Sequence, residues 1–192
     1  MSDWKIRLTK TLEPALHEPD PRVKLSAYHN MPCAIFHYPP EDEWAVRQET
    51  ALLKTRLEQA GKRVTVISLL ECLNLALAAE GMSPESLAQA EKETGTAALI
   101  DTLHSVLDEY QPLDQVVADR IPVEADPLHD IAFLVRAGAL FPFYRTSALL
   151  EQLKGRVKIP TVLFYPGTLD GASSLSFMGV LSAEPNYRPK IF

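Results

Sequence analysis

Residues 131–135, Ile131, Ala132, Phe133, Leu134 and Val135, run without a polar interruption, and this run most constrains the fold. A half-exposed strand would alternate apolar and polar residues, so a wholly apolar run of this length reads as a strand covered on both faces. Strands of that kind belong to parallel sheets, whose connections cross over the faces as helices.

The rest of the chain supplies such connections. Residues 33–38 read as a first strand, with Cys33, Ile35 and His37 on one face and Ala34, Phe36 and Tyr38 on the other; Pro39 and Pro40 end it. Residues 43–60 place Val46, Thr50, Leu53, Leu57 and Ala60 on one helical stripe, with Asp42 expected as N-cap, Glu43 and Arg47 as a supporting pair and Gly61 as the stop. A β-branched strand over 64–67 follows. Ser68 and Glu71 have the spacing of a capping box for a helix through Leu77. Ser83 and Pro84 open another helix, which Gly95 stops. Thr96 opens a further one, with Leu99, Leu103, Val106 and Tyr110 on a stripe. The remaining expectations are a helix over 146–154 ended by Gly155, a fourth strand over 159–165, a turn-rich loop over 166–171 and a short edge strand over 175–178. Residues 1–27, with Pro14, Pro19 and Pro21, predict a short amphipathic helix over 4–12 and an extended connector, a docking arm or a cap.

The fold class is therefore α/β, a mostly parallel sheet of about five strands with helices on both faces, in one domain over 1–192. A chain of this length buries roughly 70% of its unfolded surface, enough for one substantial core. Sites in such sheets lie beyond the carboxyl ends of the strands. Four segments are thereby expected at one functional edge: 39–43, 68–71, 138–145 and 166–171.

Charge narrows the partners. The net charge is −6, and residues 41–109 hold 13 acids against 6 bases, whereas 110–192 hold 8 of each. An acidic helical region repels a phosphate backbone and suits a basic protein surface. The C-terminal bases Arg145, Arg156, Lys158, Arg188 and Lys190 are scattered, so direct nucleic-acid binding is not expected. Cys33 and Cys72 lie in apolar settings and are expected as free, buried thiols. No leader-like apolar stretch begins the sequence and no 18-residue apolar run occurs, which points to no membrane span and to the cytoplasm.

Catalytic constellations are sparse. Where a nucleotide hydrolase would wrap phosphate in glycine amides, His37, Tyr38, Pro39, Pro40, Glu41 and Asp42 offer two prolines and two acids. Val106, Leu107, Asp108 and Glu109 fit the helical stripe better than a magnesium-binding strand end. Cys33 and His37 share a strand face without further ligands at metal-site spacing, so no metal is expected. His17, His29, His104 and His129 are scattered, and His104 beside Asp101 and Asp108 reads as a surface ion pair. Gly171, Ala172, Ser173, Ser174 and Leu175 lack the second glycine of a nucleophile elbow. Asp170 before Gly171 reads first as a turn residue. Arg145, following Phe141, Pro142, Phe143 and Tyr144, reads equally as a local brace and as a partner anchor, since aromatics and arginine are enriched at interface hot spots.

The stretch Phe133-Leu134-Val135-Arg136-Ala137-Gly138-Ala139-Leu140-Phe141-Pro142-Phe143-Tyr144-Arg145, the segment Pro160-Thr161-Val162-Leu163-Phe164-Tyr165-Pro166-Gly167, and the pair Asp170-Gly171 resemble the BrxB family of the BREX bacteriophage-exclusion systems. The resemblance extends over most of the chain, from Phe36-His37-Tyr38-Pro39-Pro40 to Phe177-Met178-Gly179 and Tyr187-Arg188. It implies an accessory subunit of an anti-phage machine that contains a methyltransferase, a PglZ phosphatase-like protein and a large ATPase. It also implies a domain like a degenerate P-loop NTPase without a Walker A motif. It carries over no catalytic residues and no cofactor. The expectation is a non-catalytic adaptor that binds other components of the system, the PglZ-like protein foremost, with the ATPase or methyltransferase as further candidate partners. Its partner-binding residues would be Phe141, Phe143, Tyr144, Arg145, Tyr165 and Asp170. The alternative is a divergent nucleotide- or metal-dependent hydrolase or nuclease using Asp42, Asp108, Asp170 and His37.

Overall fold

The computed structural model describes residues 2–26, 32–171, 174–180 and 189–192. His29, the centre of the near-elbow at Ala172 and Ser173, and the Tyr187-Arg188 pair lie outside the described residues.

Six strands form the sheet: β1 (Cys33–Tyr38), β2 (Arg63–Ser68), β3 (Asp130–Val135), β4 (Thr161–Asp170), β5 (Ser174–Phe177) and β6 (Lys190–Ile191). The order is β2-β3-β4-β1-β6, all parallel, with β5 pairing antiparallel to the far end of β4. β3 and β4 are interior, which is why residues 131–134 and 161–165 are buried throughout and almost all apolar. Period-two alternation divides their side chains between two cores. Ile131, Phe133, Val162 and Phe164 enter one core, and Ala132, Leu134, Leu163 and Tyr165 the other.

The first core is closed by the N-terminal segment and by α4 (Glu43–Gln59). α1 (Asp3–Arg7), a π-helical stretch (Leu8–Leu12) and α2 (Glu13–His17) run on as one helical rod, followed by α3 (Arg22–Leu25). Trp4, Leu8, Leu12, Leu16 and Leu25 are buried to 1% exposure or less. The segment expected as a docking arm or cap with an extended connector is thus part of the core, helical to His17. Residues spaced by four put Trp4, Leu8, Leu12 and Leu16 on one stripe, and the π-helical stretch keeps that stripe facing the sheet. In α4, Val46, Thr50, Leu53 and Leu57 are buried as expected, whereas Ala60 is exposed at the C-cap before Gly61 (φ 87°).

The opposite core is covered by α5 (Leu69–Ala79), α6 (Pro84–Thr94), α7 (Thr96–Ser105), a π-helical stretch (Val106–Tyr110), α8 (Leu113–Ala118) and α9 (Thr146–Leu153). Ser68 Oγ accepts the Glu71 amide and Ser83 exchanges a full capping box with Ser86. The expected stripe fails at its last position. The π-helical turn rotates the chain, so Leu107 is buried and Tyr110 is 63% exposed.

The largest departure from the expected fold is at 166–171. Pro166 and Gly167 do not turn; β4 continues through them to Asp170, and the chain reverses only at Gly171 (φ 69°). Pro166 is the last residue in parallel register, opposite Tyr38, and Gly167 is the first in antiparallel register, opposite Phe177. Proline lacks an amide to donate, but its carbonyl accepts from Met178. At Gly167 a Cβ would lie 2.3 Å from the Ser176 carbonyl oxygen and 2.4 Å from the Tyr165 ring. The dipeptide that signals a turn locally is here the point where one strand changes partners.

Candidate functional site

The carboxyl ends of β1, β3 and β4 form the edge at which an α/β sheet holds its ligands. At β1, Pro40–Asp42 makes a single 3-10 turn, closed by the Asp42 amide on the Pro39 carbonyl, and leads directly into α4. Asp42 does not cap that helix. Its carboxylate accepts Trp4 Nε1–H at 2.9 Å and so ties the N-terminal rod to the edge. Tyr38 OH donates to Glu43, whose other oxygen accepts Arg47 Nε at 2.8 Å. Burial and the adjacent Glu43 anion push the Tyr38 phenol well above its ordinary range.

Arg7 reaches the same edge from the rod. It donates to the Phe192 carbonyl at 2.7 Å and the His37 carbonyl at 2.9 Å, with its guanidinium 5.3 Å from the Phe36 ring centroid. Burial first, then the Arg7 charge, hold the His37 imidazole below its ordinary value, while the Gly167 backbone partly opposes them through a hydrogen bond. Cys33 lies deeper along the same strand face. Burial pushes its thiol up to about 12, and both it and Cys72 are free and buried, as expected.

After β3 the chain turns at Arg136 in the left-handed region (φ 62°), makes a 3-10 turn (Ala137–Leu140) and passes through a cis Phe141–Pro142 peptide to α9. This turn packs on the β4–β5 hairpin: the Cβ position of Gly138 is 3.3 Å from Met178 Sδ and 3.6 Å from Pro166 Cγ. Phe177 joins the two, with its ring centroid 5.8 Å from Phe141 and 5.3 Å from Tyr165. Within its short edge strand no local feature of Phe177 marks this role, which follows from the antiparallel pairing of β5.

The six expected partner-binding residues therefore separate. Phe141 and Tyr165 meet on Phe177, Tyr165 fully buried and Phe141 partly so. Phe143 is half-buried against the same core. Tyr144 is buried and turns toward the helical layer, where its OH donates to Gln152 Oε1 at 2.7 Å and its ring lies 5.9 Å from His104. Burial, with Asp108 and Asp114 nearby, raises the Tyr144 phenol above its ordinary range. Arg145 is exposed at the N-cap of α9, and Asp170 is exposed at the end of β4, opposite Ser174. Of the six, Arg145 and Asp170 are exposed, Phe141 and Phe143 are partly exposed, and both tyrosines are buried.

The acids of the alternative reading are dispersed. Asp42 binds Trp4, Asp108 accepts Gln152 Nε2 at 2.8 Å, and Asp170 lies on the hairpin. His104 meets the Tyr144 ring, not the ion pair expected with its acidic neighbours. Among the described residues no three His, Cys, Asp or Glu side chains gather where they could hold one ion.

Geometry thus defines a parallel α/β protein in which the polar groups at the end of β1 join its own elements. The family described as BREX protein BrxB matches residues 65–191, and the chain belongs to that family. The chain is also similar to a protein of Bacillus cereus (strain H3081.97) named BREX protein BrxB, at 27% identity over 159 residues, covering 80% of this chain and 79% of that one. No solved structure matches the chain. No helix among the described residues is long and apolar enough to cross a membrane.

Proposed function

We propose that this protein is a non-catalytic adaptor of a BREX anti-phage system that binds another component of that system, the PglZ-like protein foremost. Family membership supports the system. The observation that carries the adaptor reading is the bonding at the carboxyl edge. Tyr38 with Glu43 and Arg47, Asp42 with Trp4, and Arg7 with two backbone carbonyls commit the polar side chains at the β1 end of that edge to joining elements. An edge tied in this way is a rigid platform, and rigid platforms lose little entropy on docking. Arg145 is exposed beside the half-buried Phe141 and Phe143, the residue types that anchor interfaces.

The test is co-elution with the co-encoded PglZ-like protein, comparing wild type with Arg145→Ala at moderate salt. A complex with the wild type, weakened by at least about tenfold in the variant, is the expected result. Separate elution of the two wild-type proteins would refute the PglZ contact.

A further inference from the structure

β2 is the terminal strand of the sheet, with β3 on one side only. The Arg63 amide donates to the His129 carbonyl, so Arg63, Thr65 and Ile67 turn their backbone groups toward β3. By alternation, Val64, Val66 and Ser68 turn theirs outward, and among the described residues no backbone partner meets the Val64 or Val66 amide. Exposed edges are ordinarily guarded by lysine, proline, a bulge or an inward charge. This one has none of those devices. Its six residues are Arg63, Val64, Thr65, Val66, Ile67 and Ser68, the single charge at the start is already bound to Asp130, and Val66 is 44% exposed.

We infer that the β2 edge is the two-fold interface with a second copy of this chain, the two β2 strands pairing antiparallel so that one sheet runs through both copies. The outward residues fix the register. Val66 faces Val66 of the second copy across the axis, and Val64 faces Ser68, so β-branched and small neutral side chains meet with no like charges opposed. The ends complement each other as well. Arg63 binds Asp130 through Nε and one Nη, keeps its side chain 63% exposed and lies on the sheet face covered by α5. The same register brings it to the start of α5 in the second copy, where Glu71 is exposed in the first helical turn. Two symmetric Arg63–Glu71 approaches then flank the paired strands. This charge complementarity between the start of β2 and the start of α5 favours an identical antiparallel partner over an unrelated extended segment.

Sedimentation and amide hydrogen exchange on the full chain test the inference, independently of the adaptor reading. The wild type is expected at twice its 21.4 kDa mass, with the Val64 and Val66 amides protected and that protection lost on dilution. Val66→Pro removes an outward amide while leaving the ladder to β3 intact, and is expected to sediment as a monomer with unchanged far-ultraviolet circular dichroism. Should the proline variant fail to fold, Val66→Lys, which sets two cations across the axis, provides the same reading. A wild type that stays monomeric with fast-exchanging Val66 at its highest soluble concentration overturns the inference. So does a dimer unchanged by Val66→Lys. Protection of Val66 that appears only when another BREX protein is added overturns it too, and assigns the edge to that partner.

Discussion

Replacing Trp4 by alanine removes the largest buried side chain of the N-terminal rod, 1% exposed and bonded to Asp42 at 2.9 Å. The loss has two parts. Truncating a buried tryptophan in a close-packed site costs about 3–5 kcal/mol, because the indole leaves a core that it shares with Leu8, Phe36 and Val46 and that collapses only in part. Losing the indole N–H adds little of its own, since Asp42 is half-exposed and water replaces the donor. Trp4→Phe removes the N–H together with part of the indole volume and should cost less than the alanine change, with the hydrogen bond contributing no more than about 0.5–1.5 kcal/mol. For a domain near this size the alanine change corresponds to a melting temperature lower by roughly 6–20 °C. The assay is urea unfolding followed by fluorescence in a Trp44→Phe background, because Trp44 is 69% exposed and its removal leaves the buried Trp4 as the sole indole of the reference protein. Circular dichroism then follows the alanine variant itself. A cost below about 1 kcal/mol would refute the argument, since a side chain in the core cannot be removed so cheaply. The rod would then be the peripheral arm that its prolines suggest.

Two further outcomes follow from the same packing. The Arg63 hydrogen bond lowers the Asp130 carboxyl below its ordinary value against the opposing effect of burial, so its contribution to stability is complete above the unfolded value near ~3.9 and is lost as pH falls through the lower folded value. Asp130→Asn should therefore narrow its stability gap to the wild type as acid unfolding is approached; a gap that widens below about pH 4 would show the sign to be wrong. Gly167→Ala should destabilise by about 1–3 kcal/mol, because the added methyl meets the Ser176 carbonyl and the Tyr165 ring, and near-ultraviolet circular dichroism should report the displaced tyrosine; an unchanged spectrum and stability would contradict the strand crossing at that position.

Much of this architecture is legible without coordinates. The apolar run at 131–135 requires cover on both faces, Ser68 and Ser83 announce helix starts, and Gly61, Gly95 and Gly155 mark helix ends with positive φ. These signals are local: each depends on neighbours within a turn or two, so one segment carries its own answer. The candidate edge was legible in outline for the same reason, since the carboxyl ends of strands follow from their boundaries.

Other features depend on residues far apart in the chain. Asp42 has the position of an N-cap, yet it faces Trp4, 38 residues away, and the longer-range donor takes the carboxylate. Pro166 and Gly167 have turn chemistry, but pairing with β1 and β5 on successive residues holds them extended. Tyr144 and Tyr165 are chemically suited to an interface and are buried by contacts with Gln152 and Phe177. Local signals mark β1, β2, β3, the start of β4 and most of the helices between them, but not α8, β6 or the helices within residues 13–25. The strand order, the burial of the N-terminal rod and the open β2 edge follow instead from burying apolar surface between distant segments, and that energy is not encoded within any one of them.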